Sequence, residues 1–507
     1  MAVSEYRVRV MSSIHDQAMQ YIYQQVLQRL LDHLSQAQKA SLQLLIQRLI
    51  VAAGGIERIN GFKLMFAHDG SQNASHALAC LRAAQLSIAA RTPGTFQLRV
   101  AVVRQPGMST TALSNLEYGF SALFLHDDPR VELLMLDDQQ LLPFDSRHSP
   151  SPNQQQAERH ELLLFGHLLA GLPRAGFGSH GYLRLADLCR QALGWRGGVD
   201  AIISAQPLPE RRRYLAWSRR ALREEDLFSI RPIHSCAASL CEGLSELRRR
   251  YLEQLYGQVQ GVSSTPIGDY CAPAMRFITI DDLVHDPEVP HDERLNRFLG
   301  CRFDEQYFAC DRSGTANPLL LAHLRGLHAQ FIENSDYREG VDAHLRQARQ
   351  QMQRKGLPRA LQNRVLGRWQ NAEQLQQRRT QADEFALQAY GLSEAQLVCQ
   401  LFAPFVSRGM RLEIFLRRCH PGMLVALPYL HKALQQLPAP EPVVQWMVDI
   451  SGLSLPLLQM LYQREPQICA RPRSLLARIQ GRGADLRHLR LPPTAWSWLM
   501  AEQPGWR

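Results

Sequence analysis

The sequence is poor in lysine and lacks long apolar runs. Lys39, Lys63, Lys355 and Lys432 are its only lysines, so almost all of its 57 basic residues are arginines. No apolar run approaches the roughly 20 residues that a membrane-spanning helix needs. The first 22 residues also lack the continuous apolar stretch of a signal peptide. We therefore expect a cytoplasmic protein that has no membrane partner.

The ten cysteines include no pair separated by two residues. The closest pairs, Cys236 with Cys241 and Cys301 with Cys310, are separated by four and eight residues. These spacings do not match the paired knuckles of a structural zinc site. We therefore expect reduced thiols, no resident metal and no cofactor.

Signatures of common enzyme classes are also missing. The chain has no GxxxxGK[ST] phosphate loop, no HExxH zinc motif, no GxSxG nucleophile motif and no GxGxxG after a predicted strand. Acidic pairs such as Asp127 with Asp128 and Asp137 with Asp138 fall at predicted turns, where carboxylates cap helices or hold a metal. We assign no catalytic residue.

Length and composition indicate several packed units. Of its residues, 45% are hydrophobic and 21% are charged, a composition typical of globular proteins. At 507 residues the chain is too long for one hydrophobic core. We predict a helical hairpin over 1–58, an α/β domain with a parallel sheet over 59–206, an arginine-rich helical domain over 207–436 and a C-terminal helical domain over 437–507. The fold class is therefore mainly α with an N-terminal α/β domain, and the helical C-terminal half contains candidate helix-turn-helix units.

Short β-branched runs alternate with amphipathic helices in the α/β region, which is typical of parallel sheets. Strands are predicted at 62–67, 96–103 and 131–136, and helices at 73–90 and 110–125. A further strand-like run, Arg276 to Ile280, interrupts the helical half. The apolar face of the N-terminal hairpin serves in one alternative as a homodimer surface, and in the other it packs on the next domain.

Basic residues cluster in a Gln- and Arg-rich tract over 344–380. A helix this basic repels itself unless an anion neutralises it, and phosphate backbones are the commonest such anion. The predicted DNA contacts of this tract are Arg346, Arg349, Arg354, Lys355, Arg359, Arg364 and Arg368. The alternative is a solvated surface helix whose arginines reflect a GC-rich genome. A second cluster, over 211–223, holds Tyr214 and Trp217, which would stack on bases or anchor their own helix.

The tripeptide Gly-Leu-Ser occurs at 243–245, 391–393 and 452–454. In a helix-turn-helix, glycine permits the turn, the apolar residue pins it to the core and serine caps the recognition helix. The third copy fits best, with helices over 443–450 and 454–464. Its predicted DNA contacts, with the arginine arm that follows, are Ser454, Gln459, Gln463, Arg464, Arg471, Arg473 and Arg478. The alternative is an ordinary helix start, which also favours Gly and Ser.

The segment 243–268 resembles the flagellar master-activator C family. In that family a Gly-Leu-Ser turn leads into a helix bearing Leu-Tyr, here Leu255-Tyr256, and then a Gly-x-Ser segment, here Gly261-Val262-Ser263. The resemblance covers 26 of the 507 residues and implies a DNA-binding regulator. The zinc-binding cysteine quartet of the family is not recognisable in this chain.

Residues 62–205 resemble universal stress proteins. Asp69-Gly70-Ser71 follows the first predicted strand, and Gly178-Ser179-His180-Gly181 lies about 110 residues later. The resemblance implies that a nucleotide is held by Asp69, Gly178, Ser179, His180 and Gly181. Gln191-Ala192 stands where that pattern has a further Gly-Ser or Gly-Thr.

The leading hypothesis from the sequence is a bacterial, non-enzymatic DNA-binding protein with a regulatory or accessory role in transcription. The first alternative is a nucleotide- or metal-dependent enzyme or sensor that uses the α/β domain. The second is a protein-interaction component, such as a secretion-associated scaffold or effector.

Overall fold

A computed structural model describes residues 2–138, 140–169, 180–204, 208–227, 236–257, 276–280, 283, 293–302, 317–354, 359–465 and 475–476. Most of these residues are helical. The helices are α1 (Ala2–His33), α2 (Gln36–Ala53), α3 (Gln72–Ala89), α4 (Thr110–Ala122), α5 (Pro152–Leu168), α6 (His180–Gly194), α7 (Leu208–Glu224), α8 (Cys236–Tyr256), α9 (Glu293–Phe298), α10 (Pro318–His328), α11 (Tyr337–Arg354), α12 (Arg359–Leu366), α13 (Ala372–Tyr390), α14 (Glu394–Phe402), α15 (Leu412–Cys419), α16 (Leu427–Leu434), α17 (Glu441–Ser451) and α18 (Leu455–Tyr462). The strands are β1 (Lys63–His68), β2 (Gln97–Val103), β3 (Val131–Asp137), β4 (Gln140–Pro143), β5 (Ala201–Ser204) and β6 (Arg276–Thr279).

The six strands form one sheet in the order β4-β3-β2-β1-β5-β6. All neighbours are parallel except β4, which runs antiparallel to β3. β1 lies at the centre, and its residues Leu64, Met65 and Phe66 are fully buried because helices cover both faces of a parallel sheet. The predicted α/β unit is thus confirmed. The strand-like run at Arg276 becomes the edge strand β6 of this same sheet, although it lies beyond residue 206 in the chain.

Helices cover the sheet on both sides. A core formed with α1 to α4 and α9 lies on one face, and a smaller core formed with α6 and α8 lies on the other. Leu30, Leu45 and Leu49 of the N-terminal hairpin are buried in the first core, where the hairpin contacts α3. The hairpin therefore packs on the α/β unit, which is the alternative to a homodimer surface that the sequence left open.

The largest core lies in the helical half of the chain. It runs from Leu162 on α5 to Leu476 and includes side chains from α5 to α8, so the predicted boundaries after residues 206 and 436 fall inside one continuous core. Trp217 on α7 is 6% exposed and stacks on Tyr214 with a centroid separation of 6.3 Å. Trp217 therefore anchors its own helix.

Candidate nucleic-acid interface

Five of the predicted DNA-contacting arginines lie at exposed positions on α11, on α12 and just after α12. We call them the arginine group: Arg346, Arg349, Arg359, Arg364 and Arg368. Arg354 ends α11, but the position of its side chain is not described, and Lys355 lies outside the described residues. The structure therefore brings most of the predicted tract to the protein surface on two successive helices.

The apolar pattern of the two helices explains this exposure. Ala348 and Met352 of α11 pack against Leu366 of α12 in a small core of their own. Because Arg346 and Arg349 are three residues apart on α11, they share a face that turns away from this core. No acidic residue occurs in the sequence between Ala343 and Ala372, so the segment that carries these charges has no carboxylate of its own.

A network of buried and half-buried polar groups holds the start of α11 in place. The Tyr337 hydroxyl at its start lies 3.0 Å from His323 Nδ1 on α10. The Arg379 guanidinium packs 4.8 Å over the Tyr337 ring and donates to both carboxylate oxygens of Glu394, at 3.0 and 2.6 Å. Burial lowers the pKa of His323 to about 4, so the imidazole is neutral near pH 7. The arginine group is thus carried on a fixed support.

Two further arginines of the basic tract, Arg378 and Arg379, make contacts within the protein. Arg378 stacks over Trp369 at 5.6 Å, and Arg379 is paired with Glu394 as described above. Bidentate arginine–carboxylate pairs of this kind are stronger than single contacts and hold the guanidinium in one orientation. The tract therefore divides into a surface part on α11 and α12 and a structural part on α13.

The second and third Gly-Leu-Ser copies form helix-turn-helix units. Gly452 ends α17 with a left-handed φ of 70°, and Gly391 ends α13 with a φ of 64°. The leucine that follows each glycine is fully buried, as predicted for a residue that pins the turn. Ser393 caps α14 by accepting from the Gln396 backbone N–H, whereas Ser454 at the start of α18 makes no such side-chain bond.

The first copy does not form a turn. Gly243, Leu244 and Ser245 lie inside the continuous helix α8, so the predicted turn at this position is wrong. A Cβ at Gly243 would lie 3.0 Å from the Leu222 side chain, which indicates that the glycine serves the close packing of α7 and α8. The part of 243–268 that the structure describes is therefore one helix up to Tyr256.

The expected recognition helix α18 is largely enclosed. Leu457, Leu458 and Leu461 are fully buried on it. Gln459 donates from Nε2 to the Ala433 carbonyl oxygen at 2.9 Å, and Arg464 donates from Nη1 to the Leu255 carbonyl oxygen at 3.1 Å. These two predicted base contacts are therefore committed to the protein interior.

The other predicted contacts of the third copy divide into two sets. Ser454 and Gln463 are exposed. The arginine arm, Arg471, Arg473 and Arg478, lies outside the described residues. Because α18 presents few polar side chains to solvent, it is better suited to packing within the helical half than to contacting DNA bases.

The predicted nucleotide site is described in part. Asp69 is exposed at the carboxyl end of β1, where its Oδ1 accepts from the Ser71 N–H at 2.9 Å and so shapes the turn into α3. Gly178 and Ser179 lie outside the described residues, and His180 and Gly181 begin α6.

The paired acids at the turns make structural contacts. Asp137 accepts from His148 Nε2 at 2.7 Å and from the Ser151 N–H at 2.9 Å, just before α5. Asp128 is buried against Arg82 at 2.7 Å. Within the described ranges, no three His, Cys, Asp or Glu side chains are placed to hold a metal ion. No helix among the described residues is long and apolar enough to cross a membrane.

Comparison of the chain with protein-family models, curated proteins and solved structures finds no match.

Proposed function

We propose that the chain is a non-enzymatic, DNA-binding regulatory or accessory protein of the bacterial cytoplasm, which grips the phosphate backbone through the arginine group. The observation that carries the proposal is the exposure of five guanidinium groups on and beside two adjoining helices. They belong to a segment, 343–372, that contains no acidic residue. Guanidinium groups remain charged and donate bidentately to phosphate oxygens, which suits them to this contact.

The mechanism is electrostatic capture. Each arginine that neutralises a phosphate releases condensed counterions, so five contacts give a slope of about −4.5 in a plot of log affinity against log salt concentration. Base readout by α18 is not part of this mechanism, because Gln459 and Arg464 make internal hydrogen bonds. Any discrimination between sequences then comes from DNA shape or from parts of the chain outside the described residues.

Chromatin immunoprecipitation with sequencing in the native host, paired with a gel-shift salt titration, tests the proposal. A few sharp peaks with a steep salt slope identify a regulator and supply its operator. Broad enrichment with the same slope identifies a sequence-independent accessory protein. The absence of any shift at low salt overturns the proposal.

A second candidate function, a protein-interaction component, is favoured by exposed apolar side chains around α15 and α16. Met410 is 71% exposed, Ile414 46%, Val425 84% and Tyr429 45%. Exposed apolar groups in one region commonly mark protein-binding surfaces. Capture of a protein partner that is insensitive to salt, without a DNA shift, would support this function over DNA binding.

A further inference from the structure

A cavity of about 280 Å³ lies where three helices meet the carboxyl edge of the sheet. Val103 and Leu136 at the ends of β2 and β3 form its floor, and α5, α6 and α8 form its walls. Ligands of α/β sheets bind at this edge. None of the five arginines of the arginine group is in the lining, so the cavity is separate from the proposed DNA contact.

Ion pairs between the helices build the walls. Arg184 on α6 donates from Nη1 to Glu158 Oε1 on α5 at 2.5 Å, and its Nη2 lies 3.6 Å from Glu161 Oε2. Asp187, one helical turn after Arg184, receives Arg248 Nε from α8 at 2.6 Å. Glu158, Glu161 and Arg184 are each less than 10% exposed. Charges this buried are costly unless they are paired with an opposite charge.

Carboxylates exceed guanidinium groups in the lining. Asp138, Glu158, Glu161 and Asp187 contribute four negative charges, and Arg184 and Arg248 contribute two positive charges. Arg190, outside the lining, also acts on Asp187 and partly offsets the rise in its pKa that burial causes. Within the lining itself, the carboxylates therefore outnumber the guanidinium groups by two. Burial raises the pKa of Glu158 to about 6 and also raises that of Asp187, although the neighbouring arginines act in the opposite direction.

One donor in the wall is also unused. Arg248 Nη1 is buried and has no hydrogen-bond partner among the described residues. The hydroxyl of Tyr251, three residues later on α8, is fully buried and likewise has no partner in the described part. Buried donors without acceptors are rare in native proteins, because each costs about 1–3 kcal/mol. A ligand oxygen at Arg248 would satisfy such a donor.

We propose that this cavity binds a small organic cation that also carries an oxygen acceptor, the chemical class of the basic amino acids. The cationic group is held by Glu158 and Glu161, and the oxygen accepts from Arg248. The volume lies just below the range of about 300–1,000 Å³ that is usual for drug-sized ligands, which suits a small metabolite and excludes a larger cofactor. The half-buried His160 and the rim residue Ala157 lie at the opening on α5.

Isothermal titration calorimetry on the full chain tests the proposal with three probes. L-arginine has the cationic groups and a carboxylate, agmatine lacks the carboxylate, and succinate is a dianion. We expect L-arginine to bind at least about tenfold more tightly than agmatine, which corresponds to 1.4 kcal/mol, and we expect no heat from succinate. Succinate binding as tight as that of L-arginine, or no heat from L-arginine at millimolar concentration, overturns the proposal and leaves a cavity filled by water only. Equal binding of agmatine overturns the role of Arg248.

Two variants and a matched control locate the binding. Glu158→Gln keeps the side-chain shape and should weaken L-arginine binding at least about tenfold. Ala157→Trp places a bulky ring at the exposed rim without changing any charge, so it should abolish binding while the chain stays folded by circular dichroism. Glu253→Gln, at an exposed position on α8, should leave binding unchanged. If Glu158→Gln fails to fold, the Ala157→Trp variant tests the location of binding. Unaltered L-arginine binding in that variant overturns the assignment of the ligand to this cavity.

Discussion

Gln396 on α14 donates from Nε2 to the carbonyl oxygen of Asp449 on α17 at 2.9 Å. This bond joins the two helix-turn-helix units, and Arg159 of α5 lies beside both of their turns. A Cβ at Gly452 would lie 2.8 Å from Arg159 Nη2, and one at Gly391 would lie 3.6 Å from Nη1. The two Gly-Leu-Ser turns therefore pack against the same helix, α5. This packing explains why α14 and α18 are mostly buried.

Gly452→Ala should destabilise the fold more than Gly391→Ala. Both glycines have a left-handed φ, near 70° and 64°, where an alanine costs about 1–2 kcal/mol. At Gly452 the added methyl also meets Arg159 and Leu163, so a further cost of about 1–3 kcal/mol is expected from overpacking. Urea denaturation of the two variants measures the difference. Equal losses would contradict the close approach of Arg159 to the second turn.

Replacing Arg346 and Arg349 together with Ala should weaken DNA binding and reduce the magnitude of the salt slope by about 2, because each phosphate contact contributes about 0.9. The matched control replaces Arg91 and Arg417, two exposed arginines outside the arginine group, and removes the same charge. Fluorescence anisotropy with a mixed-sequence duplex over a salt series gives both slopes. The same loss in the control would show that net charge, rather than the arginine group, drives binding.

Asp128→Asn should destabilise the fold by about 3–5 kcal/mol. The substitution leaves Arg82, which is fully buried, without its charge partner at 2.7 Å, and Arg130 also loses its partner. Asp127→Asn, at the exposed neighbouring position, should change the free energy of unfolding by no more than about 0.5 kcal/mol. Thermal and urea unfolding compare the two variants, and a small effect at Asp128 would contradict the buried ion pair.

Stability should fall as pH decreases from 6.5 to 4. Burial lowers the pKa values of His68, His167 and His323 to about 4. Between pH 4 and 6.5 the unfolded chain binds protons that the folded chain does not. The contribution of the neutral histidines to the free energy of unfolding is therefore complete above pH 6.5 and is lost as pH falls. Each histidine adds up to about 1.4 kcal/mol per pH unit to the slope.

Glu158 works in the opposite direction over part of the same range. Its pKa is raised by burial from 4.5 to about 6, so its contribution to stability decreases as pH rises through that interval. The three histidines together change the free energy of unfolding with pH more than this one carboxyl group does. The net slope of that free energy against pH therefore stays positive. His167→Gln should reduce the slope measured by urea denaturation at several pH values, whereas His126→Gln, at an exposed site, should not. An unchanged slope in His167→Gln would contradict a buried neutral imidazole.

Local pattern alone was sufficient for three of the strands and for the exposed arginines. The predicted strands 62–67, 96–103 and 131–136 correspond to β1, β2 and β3, because runs of β-branched and apolar residues suit strands that are buried on both faces. The exposure of Arg346 and Arg349 follows from their placement outside the apolar stripe of α11. Sequence spacing carries such information because side chains three and four apart share one helix face.

The sequence by itself determined the fold class, the α/β unit and the basic tract, since these depend on neighbouring residues. Tertiary structure decided which groups, distant in the sequence, each side chain contacts. Gly243-Leu244-Ser245 lies in a helix while two identical tripeptides form turns, so the tripeptide alone does not fix the backbone conformation. The joining of Glu158, Arg184 and Arg248 around a cavity has no signature in the sequence, because the three residues lie far apart along the chain and meet only where α5, α6 and α8 pack together.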